Sequence, residues 1–290
     1  MSTKFVYVVL HYNAIGDTVA CVESIFHYMV EQPFEVVIVD NASPNGTGAT
    51  LEALYRENTR VHVLRNKRNI GFARGNNVGY LFAKNMLHAD YIVMLNNDTL
   101  LLDDALQRLA EQEYECSRCG VIGPKILTPT PPFDSNPGAK SLPSLRRALW
   151  SQVYMSAYLL LSYFNLDEAA VRRFDKSQQR RAAQAACSDR DHREEDVVLH
   201  GCFWIFTPTY VQRYDGIDDR TFMYGEEDLL FLRCRRAGIG MVFLPAITIF
   251  HKEDAATNTL TFSRPVNRRR FAYCNAIRSK WVLIIAMIWR

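Results

Sequence analysis

Four near-continuous apolar stretches in the first hundred residues, three of them followed by segments of helical character, constrain this fold more than any other feature. Lys4–Leu10, Phe34–Val39, Val61–Leu64 and Tyr91–Leu95 are rich in β-branched residues and show little polar alternation. Strands of that kind are buried on both faces, which implies an α/β fold with a parallel sheet covered by helices above and below. Thr18–Val30 spaces Val19, Val22, Ile25, Phe26 and Met29 as a helix does, and Leu51–Glu57 and Phe72–Leu87 also read as helices. Ligands in such sheets bind outside the carboxyl ends of the strands. The residues just after each strand are therefore the candidates for chemistry.

Beyond Gly123-Pro124 the pattern changes. Pro129, Pro131, Pro132, Pro137 and Pro143 crowd residues 128–144 and exclude a helix interior or a central strand there. Leu145–Leu166 is helical and mixes basic with aromatic residues, and Arg172–Asp196 is dense in both signs of charge, as a solvated helix is. Strand-like Val197–Phe206, helical Gly225–Ala237 and strand-like Met241–Phe250 then restore the earlier alternation.

The charge balance of 34 basic and 31 acidic residues gives a net +3, too little for a chain that coats nucleic acid. The distribution is uneven: Ala255–Arg290 holds seven basic residues and no acidic one, ending in the apolar run Trp281–Trp289. Nine residues are too few to span a bilayer but suit its interface. Seven cysteines and an opening MSTKFVYVVLHYN that reads as a strand point to reduced thiols in the cytoplasm. The lone Cys116/Cys119 pair lacks a second pair at zinc spacing.

Four clusters fall at or near strand ends. Tyr12-Asn13 follows the first strand and Asp40-Asn41-Ala42-Ser43 the second; an acid there either starts a turn or accepts hydrogen bonds from a nucleoside. Asn69-Ile70-Gly71-Phe72-Ala73-Arg74-Gly75-Asn76-Asn77-Val78-Gly79 allows close backbone approach at a helix N-terminus, which favours an anion. It is neither a dinucleotide fingerprint nor a P-loop. Asn96-Asn97-Asp98 sets a carboxylate among amides, suited to a hard divalent cation or to capping a helix from near Leu102. Finally Glu226-Glu227-Asp228 opens a helix, with His251 closing the last strand. Their mutual repulsion tends to raise one pKa towards that of a general base, although acids also simply favour helix N-termini.

As a set, VVLHYN, VDNAS, NIGFARGNNVGY, MLNNDT, HGCFW, GIDDRTFMYGEEDLLFLRCRRAG and IFH resemble family 2 glycosyltransferases of the GT-A fold, over about residues 4–127 and 197–251. The resemblance implies an inverting enzyme that moves a sugar from a nucleoside-diphosphate sugar to a saccharide acceptor, lipid-linked, in bacterial surface polysaccharide assembly. By that likeness Tyr12, Asp40, Gly71, Arg74, Asn77 and Asn97 would bind the donor, and Asp98 with His251 would hold Mg²⁺ or Mn²⁺ on the diphosphate. Glu227, aligned on the preceding Tyr-Gly, would be the base; aligned on Glu-Asp, Asp228 would be, with Glu226 beside it. Trp204 would offer an apolar surface to the sugar or fill the core. Asn96 departs from the acid usual at the first position of the metal motif.

Residues 1–127 would then form the nucleotide-sugar part, 128–196 a variable helical insertion and 197–263 the acceptor and catalytic-base part. Residues 264–290 would be a basic amphipathic tail, either docking peripherally on the anionic inner face of the cell membrane or packing on the domain. Two rivals share the nucleotide-binding sheet: a sugar-phosphate nucleotidyltransferase and a binding protein without turnover.

Overall fold

The computed structural model describes residues 3–30, 32–129, 134–167, 191–253 and 265–289. Strands β1 (Phe5–His11), β2 (Phe34–Asp40), β3 (Val61–Arg65) and β4 (Tyr91–Asn96) alternate with helices α1 (Ile15–Tyr28), α2 (Thr47–Leu54) and α3 (Phe72–Asn85). The short β5 (Thr99–Leu101), helix α4 (Leu106–Ser117) and β6 (Val121–Leu127) follow, then helix α5 (Leu145–Tyr163) and the two-residue β7 (Glu194–Glu195). The remainder is β8 (Phe203–Phe206), α6 (Pro208–Arg213), α7 (Glu226–Ala237), β9 (Met241–His251) and α8 (Pro265–Ile288).

One sheet collects the strands in the order β3-β2-β1-β4-β8-β6-β9-β5, with β7 against β9. The β3-β2-β1-β4 half is wholly parallel, as the apolar runs require, and β6 runs parallel to β9. β8 enters antiparallel between β4 and β6, and β5 and β7 pair antiparallel with β9. The sheet is therefore mixed rather than purely parallel.

The pleat sends alternate residues to two separate cores. Phe5, Tyr7 and Val9 pack with Cys21, Val22 and Ile25 of α1 and with Leu106 and Ala110 of α4. Val6 and Val8 pack with Ala73, Tyr80 and Ala83 of α3 and with Leu230 and Phe231 of α7. Each such side chain contributes about 1.5–3 kcal/mol on full burial. Gly79 lets α3 lie directly on the sheet, since a Cβ there would collide with the side chain of Val8.

Several boundaries move. α1 starts at Ile15 and α2 at Thr47, each earlier than the apolar spacing predicts, because their first turns hold only one large apolar residue, Ile15. Among its described residues the proline-rich segment has no long element, but it is tied down: Asn136 Nδ2 donates to the carbonyl of Pro124 at 2.7 Å, and its Oδ1 accepts from the N–H of His200 at 2.9 Å. Most of the mixed-charge stretch Arg172–Asp196 lies outside the described residues. Its last part holds β7 and the Arg193–Glu113 ion pair at 2.7 Å, not a solvated helix.

The C-terminal segment is a 24-residue helix packed on the domain, not a tail standing outside it. Leu283 and Ala286 meet Leu229 of α7, Lys280 pairs with Asp228 at 3.2 Å, and Arg236 donates to the carbonyl of Ala286 at 2.6 Å. α8 also runs along α5, where Gln152 donates to the carbonyl of Ile277 at 2.9 Å. Asp167 lies just beyond α5 and pairs with Arg269 at 2.6 Å. By length and composition alone α8 could cross a membrane, although a third of its apolar window (33%) is buried in the protein.

Candidate active site

A cleft of about 240 Å³ opens at the carboxyl ends of β1, β2 and β4, walled by Tyr12, Asn41, Gly71, Asn97, His200, Tyr224, Glu226 and Glu227 among others. At the end of β2 the wall is Asn41 rather than Asp40. Asn41 has a full set of partners: Nδ2 donates to Asn69 Oδ1 at 3.0 Å and to the Gly71 carbonyl at 3.1 Å. Its Oδ1 accepts from Asn66 and from the N–H of Ile70, both at 3.1 Å. Asp40 is buried beside it, accepting from the N–H and hydroxyl of Ser43 at 3.0 and 2.6 Å. Gly48 of α2 presses on that carboxylate so closely that a Cβ would overlap it.

The GFARGNN segment reaches the cleft through Gly71, whose φ of +90° favours glycine and whose Cα faces Phe222. Its polar residues do something unforeseen. Asn77 donates to the carbonyl of Ile217 and accepts from its N–H, both at 2.9 Å, and Arg74 Nε donates to the carbonyl of Asp219 at 3.1 Å. Both brace the loop that runs into the acidic triplet, and neither lines the cleft.

Asp98 and His251 come together through strand register. Thr99 faces His251 across the β5–β9 pairing, which sets Asp98 Oδ1 3.2 Å from His251 Nε2. Asp98 thus sits in the turn between β4 and β5, and the helix that it was expected to cap starts only at Leu106. Both side chains are nearly buried, and His251 Nδ1 is buried without a hydrogen-bond partner. Among the described residues no group of three or more His, Cys, Asp or Glu side chains is arranged around a metal position. A two-ligand set still fits a hard cation: donors about 2.1 Å from a Mg²⁺ at right angles lie about 3.0 Å apart, with water and phosphate oxygens completing the shell. Asn97 lines the cleft beside them, its Nδ2 donating to Thr18 Oγ1 at 3.0 Å.

The three carboxylates of α7 have separate surroundings. Glu226 accepts from the hydroxyl of Thr221 at 2.9 Å, and burial pushes its carboxyl up to about 7, with the charge of Glu227 adding to the effect. Glu227 accepts from the N–H of Gly201 at 3.2 Å; burial raises its pKa first, and Asp228 raises it further. Asp228 is held by Lys280. Desolvation thus outweighs the mutual repulsion read from the triplet.

The Glu226 shift has a consequence for stability. A carboxyl whose pKa is raised in the folded state binds more protons folded than unfolded, so stability falls as pH climbs from its ordinary value of 4.5 to about 7. Glu226→Gln should abolish this loss, which is on the order of 3 kcal/mol at full ionisation. Urea melts of the two proteins at pH 5 and pH 8 measure it. Parallel pH dependences would disprove the assignment.

A second cavity of about 430 Å³ lies on the other side of Glu227, walled by Ala139, Val198, Leu199, Asp228, Ser279, Lys280 and Leu283 among others. His200, Tyr224 and Glu227 belong to both cavities. Burial, with His251 nearby, lowers the imidazole of His200 to about 4, so it is neutral at pH 7. Trp204, by contrast, is wholly buried against Phe206 and faces neither cavity. Of its two expected places, the sugar site and the core, the structure gives it the core. His200, Gly201 and Tyr224 went unpredicted; HGCFW and YGEED contain them, but nothing local marks them as lining.

Fold and site together define a class: a mostly parallel α/β sheet of the GT-A type with carboxylates across its strand-end cleft. S. aureus TarS 1–349 shares that fold with a TM-score of 0.53 at 13% identity, over 86% of this chain and 60% of that one. The structure of the same fragment in complex with UDP gives the same values. Residues 7–132, a little under half of this chain, match glycosyl transferase family 2. The glycosyltransferase GlyG of Streptococcus pneumoniae is 30% identical over 123 residues, which are 42% of this chain and 39% of that protein. The chain thus aligns with about two fifths of its curated relative.

Proposed function

We propose that the chain is an inverting glycosyltransferase that moves a sugar from a nucleoside-diphosphate sugar to a hydroxyl of a lipid-linked saccharide, in bacterial surface polysaccharide assembly at the inner face of the cell membrane. The observation that carries this reading is the place of Glu227 on the wall shared by two cavities. The strand-end cleft is the donor side, and the cavity towards α8 is the acceptor side. The family match and the UDP bound by TarS support a nucleotide-sugar donor.

Each residue then has a task. Gly71 permits close approach of the donor, and Tyr12 and Asn97 line its site, while Asn77 and Arg74 hold the loop leading to the base. Asp40 acts at one remove, fixing the turn beside Asn41. Asp98 and His251 would hold Mg²⁺ or Mn²⁺. Such an ion supplies Lewis-acid neutralisation of a leaving diphosphate. Glu227 accepts the proton of the attacking hydroxyl at its carboxylate, while Thr221 keeps Glu226, and Lys280 keeps Asp228, turned to other partners. Attack from the face opposite the leaving group inverts the anomeric centre without a covalent intermediate.

The test is product identity. Incubated with UDP-sugars and other nucleotide-sugars plus Mn²⁺ or Mg²⁺, the protein should release nucleoside diphosphate and glycosylate an added saccharide. Release of pyrophosphate would indicate a nucleotidyltransferase, and tight binding with no product would indicate a binding protein.

A further inference from the structure

Exposed apolar side chains are concentrated on one part of this molecule. Of the twenty exposed large hydrophobic residues among those described, thirteen belong to Leu145–Leu166 or to Trp281–Trp289. On α5 they follow helical spacing: Trp150 is 62% exposed, Val153 60% and Leu160 63%, with Phe164 (69%) just beyond the helix. On α8 the exposed positions Arg278, Trp281, Ile285 and Ile288 recur every three to four residues, a single stripe. Phe271, Cys274 and Ile277, also three residues apart, are partly buried.

The two helices lie antiparallel. Gln152 bonds to Ile277, whereas Ser162, ten residues on, bonds through its carbonyl to Arg270 at 2.7 Å. The amino end of α5 is therefore beside Trp281 and Ile285, so both stripes extend along one helix pair. Neither α5 nor α8 contains an acidic residue. Asp167, the nearest, is buried against Arg269. Arg146, Arg147 and Arg278 are exposed. Tryptophan, tyrosine and arginine around an aliphatic centre make the composition of a bilayer interface.

We infer that the α5–α8 pair docks flat on an anionic lipid bilayer, and that the inserted helix α5, more than the C-terminal helix, supplies the lipid-facing side chains. The pair is held to the domain through Lys280–Asp228, Arg236–Ala286 and the Leu229–Leu283 contact, which orient it along the surface rather than across it. A bilayer is favoured over a protein partner by the exposed arginines and interfacial aromatics around an aliphatic centre, with no acidic residue on either helix. α8 walls the second cavity through Ser279, Lys280 and Leu283. The helix that meets the lipid thus also borders the space beside Glu227. Delivery of a lipid-linked acceptor into that space rests on the glycosyltransferase reading; docking itself does not.

The experiment is flotation of the full chain with vesicles of phosphatidylcholine alone and of phosphatidylcholine mixed equally with phosphatidylglycerol. The protein should float with the anionic vesicles, less so as salt rises. Arg146→Gln with Arg147→Gln should weaken binding about fivefold for each charge removed. Trp150→Glu with Leu160→Glu should abolish it, and Leu54→Glu with Met86→Glu, exposed elsewhere, should leave it unchanged. Circular dichroism melts check folding, and if the first glutamate pair unfolds, Val153→Glu replaces it. No flotation by the unaltered chain, or undiminished flotation of the α5 variants, overturns the inference. So does lipid-free self-association that the α5 variants abolish, since the face would then be a contact between copies. Nucleoside diphosphate release measured without lipid tells failure of docking apart from failure of the enzymatic reading.

Discussion

Glu227→Gln should lower sugar transfer by about 10²–10⁴-fold, the usual worth of a general base, with donor affinity changed little. The substitution keeps the size of the side chain and the acceptor oxygen for the N–H of Gly201, which lies 3.2 Å from Oε1. It removes only the capacity to take a proton. Asp228→Asn should have a smaller effect, acting through the lost pairing with Lys280 at 3.2 Å rather than through the reacting hydroxyl. Measuring kcat and KM for both variants, with nucleotide affinity by calorimetry, separates these roles. A large kcat loss in Asp228→Asn together with a mild one in Glu227→Gln would move the base one residue along, to the alignment on Glu-Asp.

Asp98→Ala should remove the cation dependence of nucleoside diphosphate binding and reduce transfer by about 10³-fold or more, as loss of several kcal/mol of charge stabilisation implies. The binding readout is independent of turnover. In the unaltered protein, Mn²⁺ with UDP at about 100 times its Kd should stabilise the fold by about 2.7 kcal/mol. In Asp98→Ala that increment should be the same with Mn²⁺ as without it. Retention of the cation-dependent part would take Asp98 out of the site. His251→Ala should act in the same direction, because the two side chains stand 3.2 Å apart and would share the ion.

Parts of this site were legible because they depend on local order in the chain. The apolar runs Lys4–Leu10, Phe34–Val39 and Tyr91–Leu95 could be read as parallel strands, since burial on both faces leaves a continuous signal. Each lies within one residue of the observed strand at either end. Tyr12, Asn97 and Gly71 followed from the strand-end rule, and all three line the cleft. His200 escaped that rule for a physical reason. β8 runs antiparallel to β4, so its amino end, where His200 and Gly201 lie, meets the edge at which the parallel strands finish. A reading that assumes parallel strands looks at the wrong end of β8.

The same burial on both faces that makes the strands legible erases the information about which face a residue takes. Trp204 and Phe203 are adjacent and both wholly buried, yet they pack in different cores. Only the pairing of Phe203 with Leu95 and of Trp204 with Met94 decides between them.

The sequence alone determined the alternation of strands and helices, the glycine and carboxylate motifs and their order along the chain, because these rest on periodicity and on residues within a few positions of one another. Tertiary structure alone decided their partners. Asn77 holds Ile217 at 2.9 Å across 140 residues, Asp98 meets His251 through the β5–β9 register, and Lys280 reaches Asp228 from a helix for which the sequence left membrane docking and packing on the domain both open. Such pairings are chosen by the packing of the whole sheet and its helices, where a shift of one residue in register would send every side chain to the opposite face.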